Sequence, residues 1–235
     1  MKFKSLIVSS ILALTMSQQS LSFEVDSLFK STSDDNVTFT VSSKEENRVY
    51  LSAKVTEINV VDGELEEKEY TRENISDWKV ELRPAKTILD PGEIKDFKVI
   101  LLCKTCVNTK DSIFKIAFVP SSNGTDGVNS KMAISIGYGA YALFAADDRP
   151  IQYDIEIEEN TNSVLVTNKG ETYFDASFNW CGYDQSNEAI KNCKKKVTVL
   201  SGRTINVPLP ISIDDVDVRV KLSTNNDEYE KNEIL

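Results

Sequence analysis

Few side chains in this sequence are of the types that carry out chemistry. The 235 residues include no histidine, which removes Ser-His-Asp and Cys-His catalysis and the commonest zinc ligand. Carboxylates remain, and two of them suffice for glycoside hydrolysis when they flank a substrate. Asp34-Asp35, Asp147-Asp148 and Asp214-Asp215 are adjacent pairs. Each lies in a polar, turn-like stretch with nothing to suggest a cleft, so they read as solvated turn carboxylates. None has EF-hand spacing, and no metal site is expected. The cysteines are the other reactive set. Cys103-Lys104-Thr105-Cys106 is a Cys-x-x-Cys, but a redox motif wants a helix N-terminus that stabilises a thiolate. Here it follows the strand-like run Phe97–Leu102, so a small structural disulfide is the better reading. Cys181 and Cys193 flank the polar stretch Gly182–Asn192 and read as a bridge closing a long loop at a hairpin end. Four cysteines allow three pairings; Cys103–Cys106 with Cys181–Cys193 is preferred. No catalytic residue and no cofactor is expected, and the chain reads as a binding protein rather than an enzyme.

The compartment follows from the first residues. Met1-Lys2-Phe3-Lys4 is a positive head, and Ser5–Met16 is an apolar run too short for a permanent span. Ser20-Leu21-Ser22 offers a small-x-small cleavage site, so residues 1–22 are expected to be a secretory signal peptide. Cysteine pairing suits an exported protein. Removing these 22 of 235 residues leaves 213, enough for one large or two ordinary domains. Net charge is −10, and losing Lys2 and Lys4 takes it to −12. Such a chain has no overall electrostatic footprint for nucleic acid or anionic lipid, and no membrane insertion is expected.

The elements that must position any site are strands. Val37–Ser42 alternates apolar and polar residues with period two, as a half-buried strand must. Val49–Thr56 does the same. Glu64–Tyr70 is highly charged and reads as an exposed hairpin arm. Trp78–Leu89 is expected to be one strand, ending at the turn Asp90-Pro91-Gly92-Glu93, where Pro then Gly suit a tight reversal. Strands follow at Ile94–Leu102, Ile113–Pro120 and Met132–Phe144. Charge and proline at Asp147-Asp148-Arg149-Pro150 then mark a domain boundary. Beyond it, strands are expected at 151–157, 163–168, 172–181, 196–200, 204–208 and 216–223, with a frayed tail at 227–235. No sustained helical apolar pattern competes. The fold class is all-β, as two immunoglobulin-like β-sandwich domains in tandem: residues 23–146 and 151–235, with a linker at 147–150.

Ordered motifs then carry a resemblance. Val80–Lys95 contains Pro84-Ala85-Lys86-Thr87-Ile88-Leu89-Asp90-Pro91-Gly92; Phe114-Lys115-Ile116-Ala117-Phe118 alternates an aromatic, a base and apolar residues. Ile134-Ser135-Ile136-Gly137-Tyr138-Gly139-Ala140 ends in a Tyr-Gly-Ala pattern, and Ser163–Gly170 ends in Asn-x-Gly. In this order they resemble the periplasmic chaperones of chaperone–usher pili, the PapD-like superfamily, and especially its alternative and class-5-like branches. Cys181 and Cys193 fit the second-domain disulfide of some members. The resemblance implies a periplasmic protein that binds pilus subunits lacking a strand, by donor-strand complementation, and delivers them to an outer-membrane usher.

Met132, Ile134 and Ile136 share one face at period two, followed by Tyr138, and this row is the expected donor strand. Burying one such side chain contributes roughly 1.5–3 kcal/mol. Family members also hold the subunit's terminal carboxylate with two bases. Lys30 is the candidate for the first. The second falls near Gly139, which carries no charge, leaving Arg149 at the linker as a substitute. The alternative reading is an exported structural or adhesive β-sandwich such as a pilus subunit, but Phe23–Phe29 is short and polar for a subunit's own donor segment.

Overall fold

The structure is a computed structural model that describes residues 23–103, 109–121, 136–146, 149–158, 161–181, 193–211, 217–224 and 227–235. The chain is all-β, with two β-sandwiches in tandem. In the first, the strands are Phe23–Val25 (β1), Phe29–Thr32 (β2), Asn36–Ser43 (β3), Val49–Val61 (β4) and Glu64–Glu69 (β5), then Val80–Arg83 (β6), Lys86–Leu89 (β7), Ile94–Leu101 (β8), Ser112–Ser121 (β9) and Tyr138–Phe144 (β10). One sheet has the order β1-β3-β8-β6; the other runs β2-β10-β9-β4-β5, with β7 also paired to β4. Alternation along β3 turns Val37, Phe39 and Val41 inward, and Phe97 and Val99 of β8 and Phe114, Ile116 and Phe118 of β9 meet them in one core.

Two crossings between the layers shape this domain. After β1 pairs with β3, the chain passes over and β2 lies parallel to β10. The run Trp78–Leu89, expected as one strand, is divided at Pro84. Its first part, β6, pairs with β8, and its second, β7, pairs with β4 in the opposite sheet. Proline has no N–H to give to a ladder, and the buried residues on its two sides, Leu82 and Leu89, belong to different layers. The turn at Asp90–Glu93 forms as expected: the Glu93 amide donates to the Asp90 carbonyl at 2.9 Å, and Gly92 has φ of 72°, where glycine meets no Cβ penalty.

A 3-10 segment, Arg72–Asp77, joins β5 to β6. The Tyr70 and Trp78 rings stack across it at 5.3 Å, and the Trp78 indole donates to Asn74 Oδ1 at 3.0 Å.

The second sandwich contains Tyr153–Glu158 (β11), Ser163–Asn168 (β12), Phe174–Asn179 (β13), Lys194–Val199 (β14), Thr204–Pro208 (β15), Arg219–Ser223 (β16) and Glu230–Ile234 (β17). Its sheets are β11-β12-β15 and β14-β13-β16-β17. The tail is not frayed, contrary to the expectation from its charge: β17 pairs with β16 along its length. Leu235 packs on the second core, and it exchanges two backbone hydrogen bonds with Val218.

The Asn-x-Gly turn also forms, with Gly170 donating to Asn168 Oδ1 at 2.8 Å. Asn168 is buried, and its amide donates to the Thr172 and Val199 carbonyls, both at 2.9 Å. Its side chain thus ties three backbone groups, from the turn and from the end of β14, to one point.

The sandwiches are joined by specific contacts. Asp111 accepts from the Ala146 amide at 2.8 Å and, with its other oxygen, from the Tyr173 amide at 2.6 Å. Arg203 of the second domain donates to the Gly63 carbonyl and to Glu64, each at 2.6 Å. Ile58, Ile113 and Leu143 from the first domain pack with Tyr173 in a small apolar cluster between the cores.

Candidate functional site

The first domain ends in a strand that is only partly covered. β10 pairs with β9 from Tyr138 to Phe144, but β2 covers its other side only from Tyr141 to Phe144. In a strand, successive residues aim their N–H and C=O groups at opposite neighbours. The Tyr141 amide donates to the Leu28 carbonyl at 2.9 Å, so odd-numbered residues of β10 face the β2 side. Gly139, two residues earlier, therefore presents its backbone groups to that side where no described strand is paired. It is exposed and has no side chain to obstruct an incoming backbone. Gly137 brings the chain close to β9: a Cβ there would lie 2.8 Å from the Phe118 carbonyl oxygen, so only glycine fits.

Among the expected donor-strand residues, Met132 and Ile134 lie outside the described residues. Ile136 is 57% exposed. Tyr138 turns inward; its ring meets Phe23 edge-to-face at 5.0 Å and packs on the rim of the first core.

The same alternation sorts the bases. On β2, Lys30 is opposite inward-facing Ala142, so its side chain enters the sandwich. Its ammonium group donates to Asp26 Oδ2 and to the Thr38 carbonyl, both at 2.6 Å, and lies 5.3 Å from the centre of the Phe39 ring. Arg149 is exposed, and no ion pair links it to another described residue.

Phe29 and Tyr141, opposite one another, belong instead to the outer face towards the second domain; Phe29 meets the Tyr173 ring edge-to-face at 6.3 Å. Lys115 of β9 lies in register with Tyr141 and shares this face. Its Cε is 3.8 Å from where a Gly139 Cβ would stand, and its ammonium group pairs with Glu67 at 2.7 Å. That carboxylate raises the Lys115 pKa, chiefly through the hydrogen bond. The base next to Gly139 thus comes from the neighbouring strand. Period-two counting along β9 places Lys115 opposite in sense to Phe114 and Ile116, but only the register between β9 and β10 puts it beside Gly139.

A hollow of about 230 Å³ adjoins the domain junction, lined in part by Glu57, Lys79, Lys110, Asp111 and Ser201. Glu57 is buried and paired with Lys79 at 2.5 Å. Burial, foremost, together with the charge of Glu57, pushes the Tyr70 phenol up to about 12, against a lowering by the Lys79 amide that donates to it. Cys181 and Cys193 form a disulfide, with Cα atoms 4.9 Å apart. Cys103 is also disulfide-bonded, while Cys106 lies outside the described residues. Of the acidic pairs, Asp147-Asp148 and Asp214-Asp215 lie outside the described residues. Among the described residues, no group of three or more Cys, Asp or Glu could hold a metal ion, and no helix is long and apolar enough to cross a membrane.

The tandem β-sandwich is shared with solved structures of fimbrial chaperones. The class 5 fimbriae chaperone CfaA superposes with a TM-score of 0.58 at 16% identity, covering 90% of this chain and 98% of that one. The chaperone–tip adhesion subunit complex CsuC–CsuE, from the archaic chaperone–usher Csu pili of Acinetobacter baumannii, gives 0.55 at 10% identity, covering 92% and 97%. The Escherichia coli chaperone DraB gives 0.55 at 12%, covering 91% and 95%. These structures share the fold. No curated protein sequence matches the chain. Residues 25–145 match the family model of the CS5 fimbrial protein N-terminal domain, and the chain belongs to that family.

Proposed function

We propose that this chain is a periplasmic chaperone for fimbrial subunits, exported by a signal peptide at residues 1–22. Its first domain, residues 23–146, binds the subunit; residues 147–150 link it to the second domain at 151–235. The observation that carries this reading is the open edge at Gly139. An unpaired strand edge recruits another strand, and an incomplete β-sandwich supplies one that lacks a neighbour. Strand addition satisfies backbone groups on both partners. The row Met132, Ile134 and Ile136 then places side chains along the strand in the subunit's apolar groove. No cofactor takes part, and no bond is made or broken. Release follows when the subunit is handed to an outer-membrane usher and a stronger donor strand displaces β10.

Lys30 already holds Asp26 and points into the sandwich. Lys115, on the face towards the second domain, is the better base for a subunit's terminal carboxylate, which would compete with Glu67 for the ammonium group.

Co-expression with a fimbrial subunit tests the reading. Ile136→Asp and Ile134→Asp should each abolish co-purification from periplasm while the chaperone remains folded, and Lys115→Met should weaken it. Unchanged recovery with both aspartates would refute the donor assignment. Recovery of the chain itself in polymerised fibres would instead make it a structural subunit.

A further inference from the structure

The second domain carries a site of a different kind, independent of the strand-addition reading. On β13, Phe174, Ala176 and Phe178 are buried, so Asp175, Ser177 and Asn179 face outward. The registers place Lys194 and Arg219 on either side of Asn179, and Lys196 and Lys221 on either side of Ser177. Four cations thus form two rails, on β14 and β16, separated by the short side chains of β13. A groove of about 610 Å³ lies over them. The chain's net charge is −10, so this concentration of positive charge is local. Lys196 is paired with Asp175 at 2.8 Å and Lys221 with Glu230. Lys194 and Arg219 have no ion pair among the described residues.

We propose that this face binds an acidic, extended segment of a partner polypeptide. Strands are about 4.8 Å apart, so the rails flank a trough about 10 Å wide, and flexible Lys and Arg side chains from both sides can converge on one carboxylate in it. Successive rows along β13 are about 6.8 Å apart, which is also the spacing of alternate side chains in an extended peptide. Acidic residues at every second position would meet first the Lys194–Arg219 row and then the Lys196–Lys221 row. The net negative charge disfavours a membrane surface or a long nucleic acid, whose fields extend over the whole molecule. A short segment within about 8–10 Å of the face responds mainly to the local cations, because salt screens the rest.

The test uses the full mature chain at low ionic strength with three probes: a ten-residue alternating Glu-Thr peptide, its Lys-Thr counterpart, and phosphatidylglycerol vesicles. Calorimetry should show binding of the Glu-Thr peptide alone, weakened by salt. Lys194→Glu/Arg219→Glu should lower its affinity about tenfold or more, as expected when close charge pairs are reversed. Lys54→Glu, an exposed change on the first domain, should leave it unaltered. Lys194→Gln/Arg219→Gln, checked for the Cys181–Cys193 disulfide and native circular dichroism, guards against misfolding of the charge-reversed form and should also bind more weakly. Absence of peptide binding, wild-type affinity in both double variants, or capture by vesicles in place of the peptide would each overturn the proposal.

Discussion

Asp111 should hold the two sandwiches in one relative orientation, and replacing it should loosen the junction without unfolding either core. Its two carboxylate oxygens accept from Ala146, at the end of the first domain, and from Tyr173, just before β13. Hydrogen bonds to a charged acceptor contribute roughly 1.5–3 kcal/mol each. Asp111 is only half-buried and borders the 230 Å³ hollow, so water can replace part of what is lost. The loss for Asp111→Ala is therefore taken near the lower end, about 2–3 kcal/mol for the pair. For a protein of this size each kcal/mol corresponds to roughly 2–4 °C, so the transition that includes the junction should fall by about 5–10 °C. Calorimetry should show it separating from the unfolding of the second core, and small-angle scattering should show a broader distribution of interdomain distances. Asp111→Asn keeps one acceptor oxygen and should lie between. If Asp111→Ala matches the wild type in both calorimetry and scattering, the junction is held by the Ile58–Tyr173 cluster and Arg203 alone, and the reasoning is wrong.

Two further outcomes follow from buried polar groups. Asn168→Ala removes its bonds to the Thr172 carbonyl and the Gly170 amide and a second bond to the Val199 carbonyl, which β13 still pairs; at about 1–3 kcal/mol for each group left unsatisfied, a loss of about 2 kcal/mol or more is expected, read as a lower denaturant midpoint for the second domain only. Tyr70 is stabilised in its neutral form, with its folded pKa up to about 12 from an ordinary value of 10.0. The stability it contributes is complete below pH 10.0 and is lost as pH rises through about 12. Ultraviolet titration should show one tyrosine that ionises late and coincides with alkaline unfolding, and Tyr70→Phe should remove that late step.

The strand pattern was legible in the sequence because each half-buried strand must alternate: Val37–Val41 and Phe114–Phe118 announce their inward faces. The Pro84 crossing was not, since alternation continues on both sides of it and only tertiary pairing shows that β6 and β7 serve different sheets. The tail's strand is hidden for a similar reason. An edge strand with one solvated face is mostly charged, and the backbone ladder to β16 leaves no mark in residue type. For the candidate site, Gly139 is visible in the sequence as a position without charge, but not as an uncovered stretch of β10, which depends on β2 beginning opposite Tyr141. Lys30 sat in a suggestive position yet faces inward, because the parallel register with β10 decides its side. In the sequence Lys115 gives no sign of its place, for the converse reason: only the β9–β10 register sets it beside Gly139. The basic face of β14, β13 and β16 was hidden because its cations come from segments far apart in an otherwise acidic chain.

The most direct test of the central claim is amide hydrogen exchange at Gly139, measured on the free chain and on its complex with a fimbrial subunit. Strand addition at the open edge of β10 predicts that the Gly139 amide exchanges quickly in the free protein and becomes strongly protected in the complex, while Tyr141, already bonded to Leu28, changes little. A stable complex in which Gly139 exchanges as fast as before would contradict the account, because the subunit would then be held somewhere other than at this edge.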